Sequence, residues 1–366
     1  MTTVNDILLA LSETAPLSTQ ESYDNAGLLI GDPAAEIDKA LITLDVTEDV
    51  VDEAIAKSCQ LIVSHHPLIF KPLKNLVPYT PTQKTVIKMV RSGIALISMH
   101  TNLDNSFHGV NRKLAQVLGL RDIRILQPIC GNLLKLVVYV PVNHCEAVQQ
   151  ALFDAGCGTI GEYDECCFGV RGKGSFRAKE GANPFVGTIG RRHYEEEVAL
   201  ATILPDYVLG RAIKAIKQAH PYEEPAYDIF KLENDNPTIG AGMVGTLENG
   251  MSESDFLAHV CEKLDTPCLR HNKMTGKAIK TVAICGGSGA FLVGQAVREG
   301  ADAYVTADIK YHEFADADNI FLVDAGHFET EQFAKQLLKE IIIKKIPNFA
   351  AQISEKSLNP VSYFVK

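Results

Sequence analysis

The sequence predicts an α/β fold: a parallel-rich sheet domain interrupted by an inserted α+β domain of ferredoxin-like order. Two observations carry this. Short, β-branched-rich apolar runs at 61–64, 94–99, 281–284, 303–306 and 320–323 are each followed by a helical pattern, as buried strands of an α/β sheet are. The rhythm then breaks near Pro128 and resumes after the polar stretch Glu233-Asn-Asp-Asn-Pro237. Between these points the order reads β-α-β-β-α-β. The expected domains are 1–128 with 238–366, and an inserted 129–237 that includes its linker.

Each element has its own warrant. Residues 5–11 are amphipathic, and 40–45 form a strand. Thr47 is the expected N-cap of the next helix, with Glu48 and Asp49 near its positive end. A helix over 82–92 stops at Gly93, and another spans 109–118. In the insert, strands at 133–140, 197–204 and 226–232 alternate with helices at 145–154 and 207–218. A loop-rich, glycine- and aromatic-rich stretch fills 156–185. A long helix is expected over 328–345.

Composition narrows the function classes. The 366 residues carry a net charge of −10, so no basic footprint argues for nucleic acid. No run approaches the ~18 apolar residues of a membrane span. The opening lacks a basic segment and a cleavage site, and nine scattered cysteines contain no C-x-x-C pair. The expectation is a soluble cytoplasmic protein.

The apolar runs end in polar residues at the carboxyl edge of the expected sheet, where ligands bind in such folds. His65-His66 follows 61–64, and both rings can serve one site only where the strand has ended. His100 and Asp104 follow 94–99. His327 and Glu331 open the last long helix at i, i+4 spacing and share one face. Four histidines and two carboxylates exceed the four ligands of a closed zinc site and suggest two ions sharing carboxylates. Imidazole and carboxylate suit Zn, Fe, Mn, Co or Ni, with zinc the leading expectation. Gly286, Gly287, Ser288 and Gly289 read as a β–α turn whose backbone N–H groups could cradle an anion. His220-Pro-Tyr-Glu-Glu-Pro225 reads as a turn or a subunit contact.

At these residues the chain resembles the NIF-three-like family, the GTP cyclohydrolase I type 2 homologues. The resemblance rests on Tyr23-Asp-Asn-Ala-Gly-Leu-Leu-Ile-Gly-Asp32, Ser64-His-His-Pro-Leu68, His100-Thr-Asn-Leu-Asp104, Thr306-Ala-Asp-Ile-Lys-Tyr-His312 and Asp324-Ala-Gly-His-Phe-Glu-Thr-Glu331. Tyr23 and Ala307 stand where the family commonly has Trp and Gly. The middle of the chain resembles the PII/CutA-like insertion of the longer bacterial members. The resemblance implies a dinuclear metal centre held by His65, His66, Asp104, His327 and Glu331, and a toroidal homohexamer.

The expected function is a metal-dependent hydrolase of a nucleotide-like or other small anionic substrate, with GTP ring opening as the inherited label. His100 or His312 would move protons. The alternative is a non-enzymatic, metal-binding, PII-like regulatory or scaffold protein.

Overall fold

The computed structural model describes residues 1–364. Two compact units emerge: Met1–Pro128 together with the chain from Thr238 on, and Ile129–Pro237.

The larger unit holds a five-stranded sheet, a six-stranded sheet and a two-stranded one that pairs Thr2–Thr3 with Glu36–Ile37. The first runs in the order Ala350–Ile353, Lys39–Thr43, Leu61–Ser64, Ala95–Ser98, Gly27–Ile30, and only the last strand is antiparallel to its neighbour. Its central strands are buried on both faces, which is why they read as unbroken apolar runs. Ile42, Val63 and Ile97 point to Ile7 and Leu11 of the helix Val4–Thr14 and to Leu338 and Ile342 of the helix Ala334–Lys345. Leu41, Ile62 and Leu96 point the other way, onto Val50, Val51 and Met89. That alternation is the two-residue period of a strand. Truncating one such side chain to Ala would cost ~2–5 kcal/mol.

The second sheet has the order Arg270–His271, Phe321–Asp324, Ala303–Ala307, Ile279–Ser288, Asp235–Met251, Arg121–Cys130. Its three central strands are parallel. One face packs on Leu114, Phe256 and Val260, the other on Leu292 and Ala296. Both sheets are thus covered by helices on both faces, the α/β layering expected from the sequence.

Local signals account for the helix ends. Thr47 caps the helix Glu48–Ala56 by accepting from the Val50 amide. Thr80 and Gln83 form a reciprocal capping box for Pro81–Ser92, and Gly93 ends it with φ at 66°.

The smaller unit is a four-stranded antiparallel sheet in the order Tyr227–Leu232, Leu133–Pro141, Arg192–Pro205, Cys167–Arg177. Helices Cys145–Asp154 and Leu209–Ala219 cover one face, packing Val148, Leu152, Ala212 and Ile216 on Leu136, Val138 and Leu200.

Four expectations need correction. The stretch 156–185 is not all loop, because Cys167–Arg177 is an eleven-residue strand. The supposed linker Glu233–Pro237 is largely strand, since Asp235–Met251 begins inside it. Pro128 itself lies within a strand, Arg121–Cys130, where no element was expected. The long helix breaks at Gln332-Phe333 into His327–Glu331 and Ala334–Lys345.

Candidate metal centre

The parallel strands of both sheets deliver their carboxyl ends to one place. Lys39–Thr43 leads to Asp45, Leu61–Ser64 to His65 and His66, and Ala95–Ser98 to His100. From the second sheet, Ala303–Ala307 leads to Asp308, and Phe321–Asp324 leads to His327. The strand Leu61–Ser64 ends at Ser64, which frees both following rings for the same side: His65 and His66 have centroids 5.0 Å apart.

Every histidine of the cluster is fixed by its Nδ1. His65 Nδ1–H donates to the Met99 carbonyl at 2.7 Å, which fixes its tautomer because a carbonyl only accepts. His66 Nδ1 meets Asp45 at 2.7 Å, His100 Nδ1 meets Asp24 at 2.7 Å, and His327 Nδ1 meets Asp308 at 2.8 Å. Three Nε2 atoms converge on Glu331 Oε2: His66 at 2.9 Å, His327 at 2.9 Å and His65 at 3.9 Å. Carboxylate or carbonyl behind Nδ1, with Nε2 turned toward a shared carboxylate in front, is the arrangement that orients histidine for a cation.

Two buried atoms of the cluster lack a hydrogen bond. His65 Nε2 and Asp104 Oδ1 are buried, lie 3.5 Å apart, and neither makes a hydrogen bond. Orphaned buried polar atoms are costly, roughly 1–3 kcal/mol each, and call for a group that would satisfy them. Donor atoms of His65, His66 and Glu331 lie within 4.8 Å of one another. The donor chemistry fits a divalent cation of the imidazole- and carboxylate-preferring kind.

Charge state follows from the same geometry. Burial opposes a charged His66, but Asp45 and Glu331 outweigh it and lift its pKa to about 10. Burial likewise opposes a charged His327, and Glu331 with Asp308 lifts it to about 9. Burial pushes Asp104 up to about 6, against the pull of His65. Glu331 stays well below the carboxylate range despite burial, because three histidines surround it.

Gly287 is a steric requirement of this cluster. Its φ is 61°, and a Cβ there would stand 2.2 Å from Glu331 Oε1. The glycine-rich segment does not form the expected open cradle. The strand Ile279–Ser288 runs through it, with an irregular register between Ile284 and Ser288. The Gly286 amide donates to Asn111 Oδ1 at 2.8 Å and the Gly287 amide to Thr330 Oγ1 at 3.0 Å, so neither is free for an anion. Ser288 donates to Asp308, and Gly289 precedes a short 3-10 turn.

Two proton-carrier expectations change. His312 is exposed on the helix Tyr311–Asp316 and contacts Tyr311, not the cluster. His100 does sit at the cluster, its ring 5.4 Å from that of His65, but Asp24 rather than Asp104 holds it. His100 precedes a helical turn, Thr101–Asp104, and Asp104 ends it. Sequence reasoning missed Asp24, Asp45 and Asp308 as supports. Asp45 and Asp308 closely follow buried strands, and Asp308 holds a left-handed backbone at φ 57°, unusual for a residue with a side chain.

Two cavities open beside the cluster. One of about 620 Å³ is lined by Asp45, His66, Asp308 and His327, with Arg270 its sole Lys or Arg side chain among the described residues. The other, about 470 Å³, is lined by His100, Asp104, Glu331, Tyr23 and Phe291.

Fold and site together define an α/β protein with a buried histidine–carboxylate centre at the strand ends of two sheets. The chain belongs to the Duf34/NIF3 (NGG1p interacting factor 3) family, whose profile matches residues 2–360. It is 39% identical over 333 residues to a Halalkalibacterium halodurans protein named GTP cyclohydrolase 1 type 2 homolog, covering 90% of this chain and 89% of that one. A Bacillus subtilis protein of the same name is 38% identical over 368 residues, covering 98% and 97%. The crystal structure of a Bacillus cereus protein related to NIF3 superposes with a TM-score of 0.88 at 36% identity, covering 99% of both chains. Among the described residues no helix is long and apolar enough to cross a membrane.

Proposed function

We propose that this chain is a hydrolase dependent on two divalent ions, acting on a nucleotide-like or other small anionic substrate. GTP ring opening is the reaction suggested by the name its relatives carry. The observation that carries the reading is the buried pair His65 Nε2 and Asp104 Oδ1, neither hydrogen-bonded, beside the imidazoles gathered on Glu331. His65, His66, Asp104, His327 and Glu331 would hold the ions, with zinc the leading candidate. Two such ions supply Lewis acidity toward a substrate oxygen and lower the pKa of a water.

The chain's own residues divide the remaining work. Met99, Asp45 and Asp308 hold the ligand rings in register. His100, braced by Asp24, would take or give a proton at Nε2. Arg270, resting on Asp324 and the Ile309 carbonyl, would meet an anionic group in the larger cavity. Tyr23 and Phe291, 64% and 69% exposed, offer ring faces for a planar base in the other.

The insert reads as a ferredoxin-like, PII/CutA-like module on the strength of its β-α-β-β-α-β order. A toroidal hexamer is the family expectation, and light scattering would return about six times the 39.9 kDa chain mass if it holds. The functional test is turnover by the metal-loaded protein across a panel of phosphoesters and GTP, with Glu331→Ala as the inactive control. A panel without Glu331-dependent turnover would reject the hydrolase.

A further inference from the structure

The motif His220-Pro-Tyr-Glu-Glu-Pro225 takes no part in the centre above, and the smaller unit shows what it builds. His220 is buried and neutral by its bonding: its Nε2–H donates to the Tyr139 carbonyl at 3.0 Å, and its Nδ1 accepts from the Tyr222 amide at 3.1 Å. Those two bonds fix the turn and aim Tyr222 inward. The Tyr222 ring then lies 5.7 Å from Phe176 and 6.3 Å from Phe185, and its hydroxyl donates to Glu197 at 3.0 Å. The Glu223 carboxylate accepts the Asn183 amide at 3.0 Å and so ties the loop that carries Phe185.

These groups surround a cavity of about 260 Å³ with Glu224 at its wall and, among the described residues, no Lys, Arg or His in its lining. Its carboxylates lack a cationic partner: no Lys, Arg or His lies within ion-pair distance of Glu197, Glu223 or Glu224 among the described residues, and nearby His193 is engaged by Glu195 at 2.7 Å. The Glu197 carboxylate is also packed into place. A Cβ on Gly174 of the neighbouring strand would stand 2.0 Å from Glu197 Oε2, so glycine there makes room for it. Phe185 is left 53% exposed.

Aromatic faces attract a cation through their quadrupole, and unpaired carboxylates add charge attraction, while either alone would be less selective. An anion would meet only negative charge here, and a neutral apolar ligand would leave those carboxylates partly desolvated without compensation. We propose that this cavity binds a small organic ammonium ion, clasped between Phe176, Tyr222 and Phe185 and neutralised by Glu197 with Glu223 and Glu224. The inserted unit would thus carry a ligand site of its own, distinct in chemistry from the cation-binding centre of the larger unit.

The test uses the full-length protein and isosteric probe pairs. Choline is compared with neohexyl alcohol, its neutral carbon isostere, and propylammonium with propanol, by saturation-transfer NMR and calorimetry. At least one cation should bind saturably and at least about tenfold more tightly than its neutral partner, the size expected of a desolvated cation–aromatic contact with a carboxylate. Which pair responds tells a quaternary from a primary ammonium. Glu197→Gln and, separately, Phe176→Leu should each weaken that binding about tenfold, while an unchanged thermal transition shows that the unit still folds. If a variant misfolds, the probe-pair ratio in the wild type decides alone. Neutral isosteres that bind as well as the cations, an absence of saturable cation binding, or full binding by folded Glu197→Gln would each overturn the proposal.

Discussion

His65 Nε2 and Asp104 Oδ1 lie 3.5 Å apart, both buried and neither hydrogen-bonded, in a cluster whose imidazoles are each anchored through Nδ1. They arrive from the ends of different strands, after Leu61–Ser64 and after Ala95–Ser98. A pair left this way by the protein's own bonding is where an added cation would contribute most.

Gly287→Ala should damage the centre from outside the ligand set. Its φ of 61° disfavours a side chain, and the new Cβ would stand 2.2 Å from Glu331 Oε1. Backbone strain alone should cost roughly 1–3 kcal/mol, visible as a few degrees in Tm. Metal retention should also fall at least about tenfold, since Glu331 must move. Wild-type retention in the folded variant would show that Glu331 is not a ligand held in place by this contact.

Metal uptake should release protons, and its affinity should keep rising with pH beyond neutrality. His66 at about 10 and His327 at about 9 hold protons on the metal-free chain, whereas a ligand must give up its Nε2 proton. The sign is therefore unfavourable for binding below these values and is relieved as pH rises through about 9 and then about 10. Calorimetry at pH 7.5 in buffers of different ionisation heat should find about two protons released. A binding constant flat above pH 7, as for imidazoles of ordinary pKa, would contradict these charge states.

Asp24 and His100 should fail together and differently from Asp104. Asp24 accepts from His100 Nδ1 at 2.7 Å, and bonds to His100 and Thr101 hold its own pKa at about 2 against the opposing effect of burial. Asp24→Asn and His100→Ala should keep most of the metal while lowering any turnover about a hundredfold or more. Asp104→Ala should lose metal first. Equal metal loss in His100→Ala and Asp104→Ala would make His100 a ligand.

Removing the insert should leave the centre intact. All five proposed ligands lie outside 129–237, and the flanking strands Arg121–Cys130 and Asp235–Met251 are sheet neighbours. Joining Pro128 to Thr238 through a short Gly/Ser turn should give a folded chain with unchanged metal content. A folded deletion protein without metal would place a ligand in the insert.

The legible part of this protein was whatever periodicity encodes. Buried strands such as Leu61–Ser64 announce themselves as apolar runs, and the helix ends at Thr47 and Gly93 follow from capping chemistry. The histidines at those strand ends were visible for the same reason. The supports were not, because a carboxylate behind an imidazole is defined by a distance between remote segments: Asp24 and His100 are 76 residues apart. The glycine-rich segment misled for a related reason. It looks like a phosphate turn by composition, but the hydrogen-bond partners of its amides, Asn111 and Thr330, come from other helices. The strand Cys167–Arg177 was hidden by its exposed, glycine-containing sequence, which has no apolar alternation to read.

The most direct measurement is the metal content of protein purified without chelator, wild type beside His327→Ala. About two divalent ions per chain are expected in the wild type, and a loss of at least one in the variant. A single ion that His327→Ala leaves unchanged would contradict a dinuclear centre built on these residues.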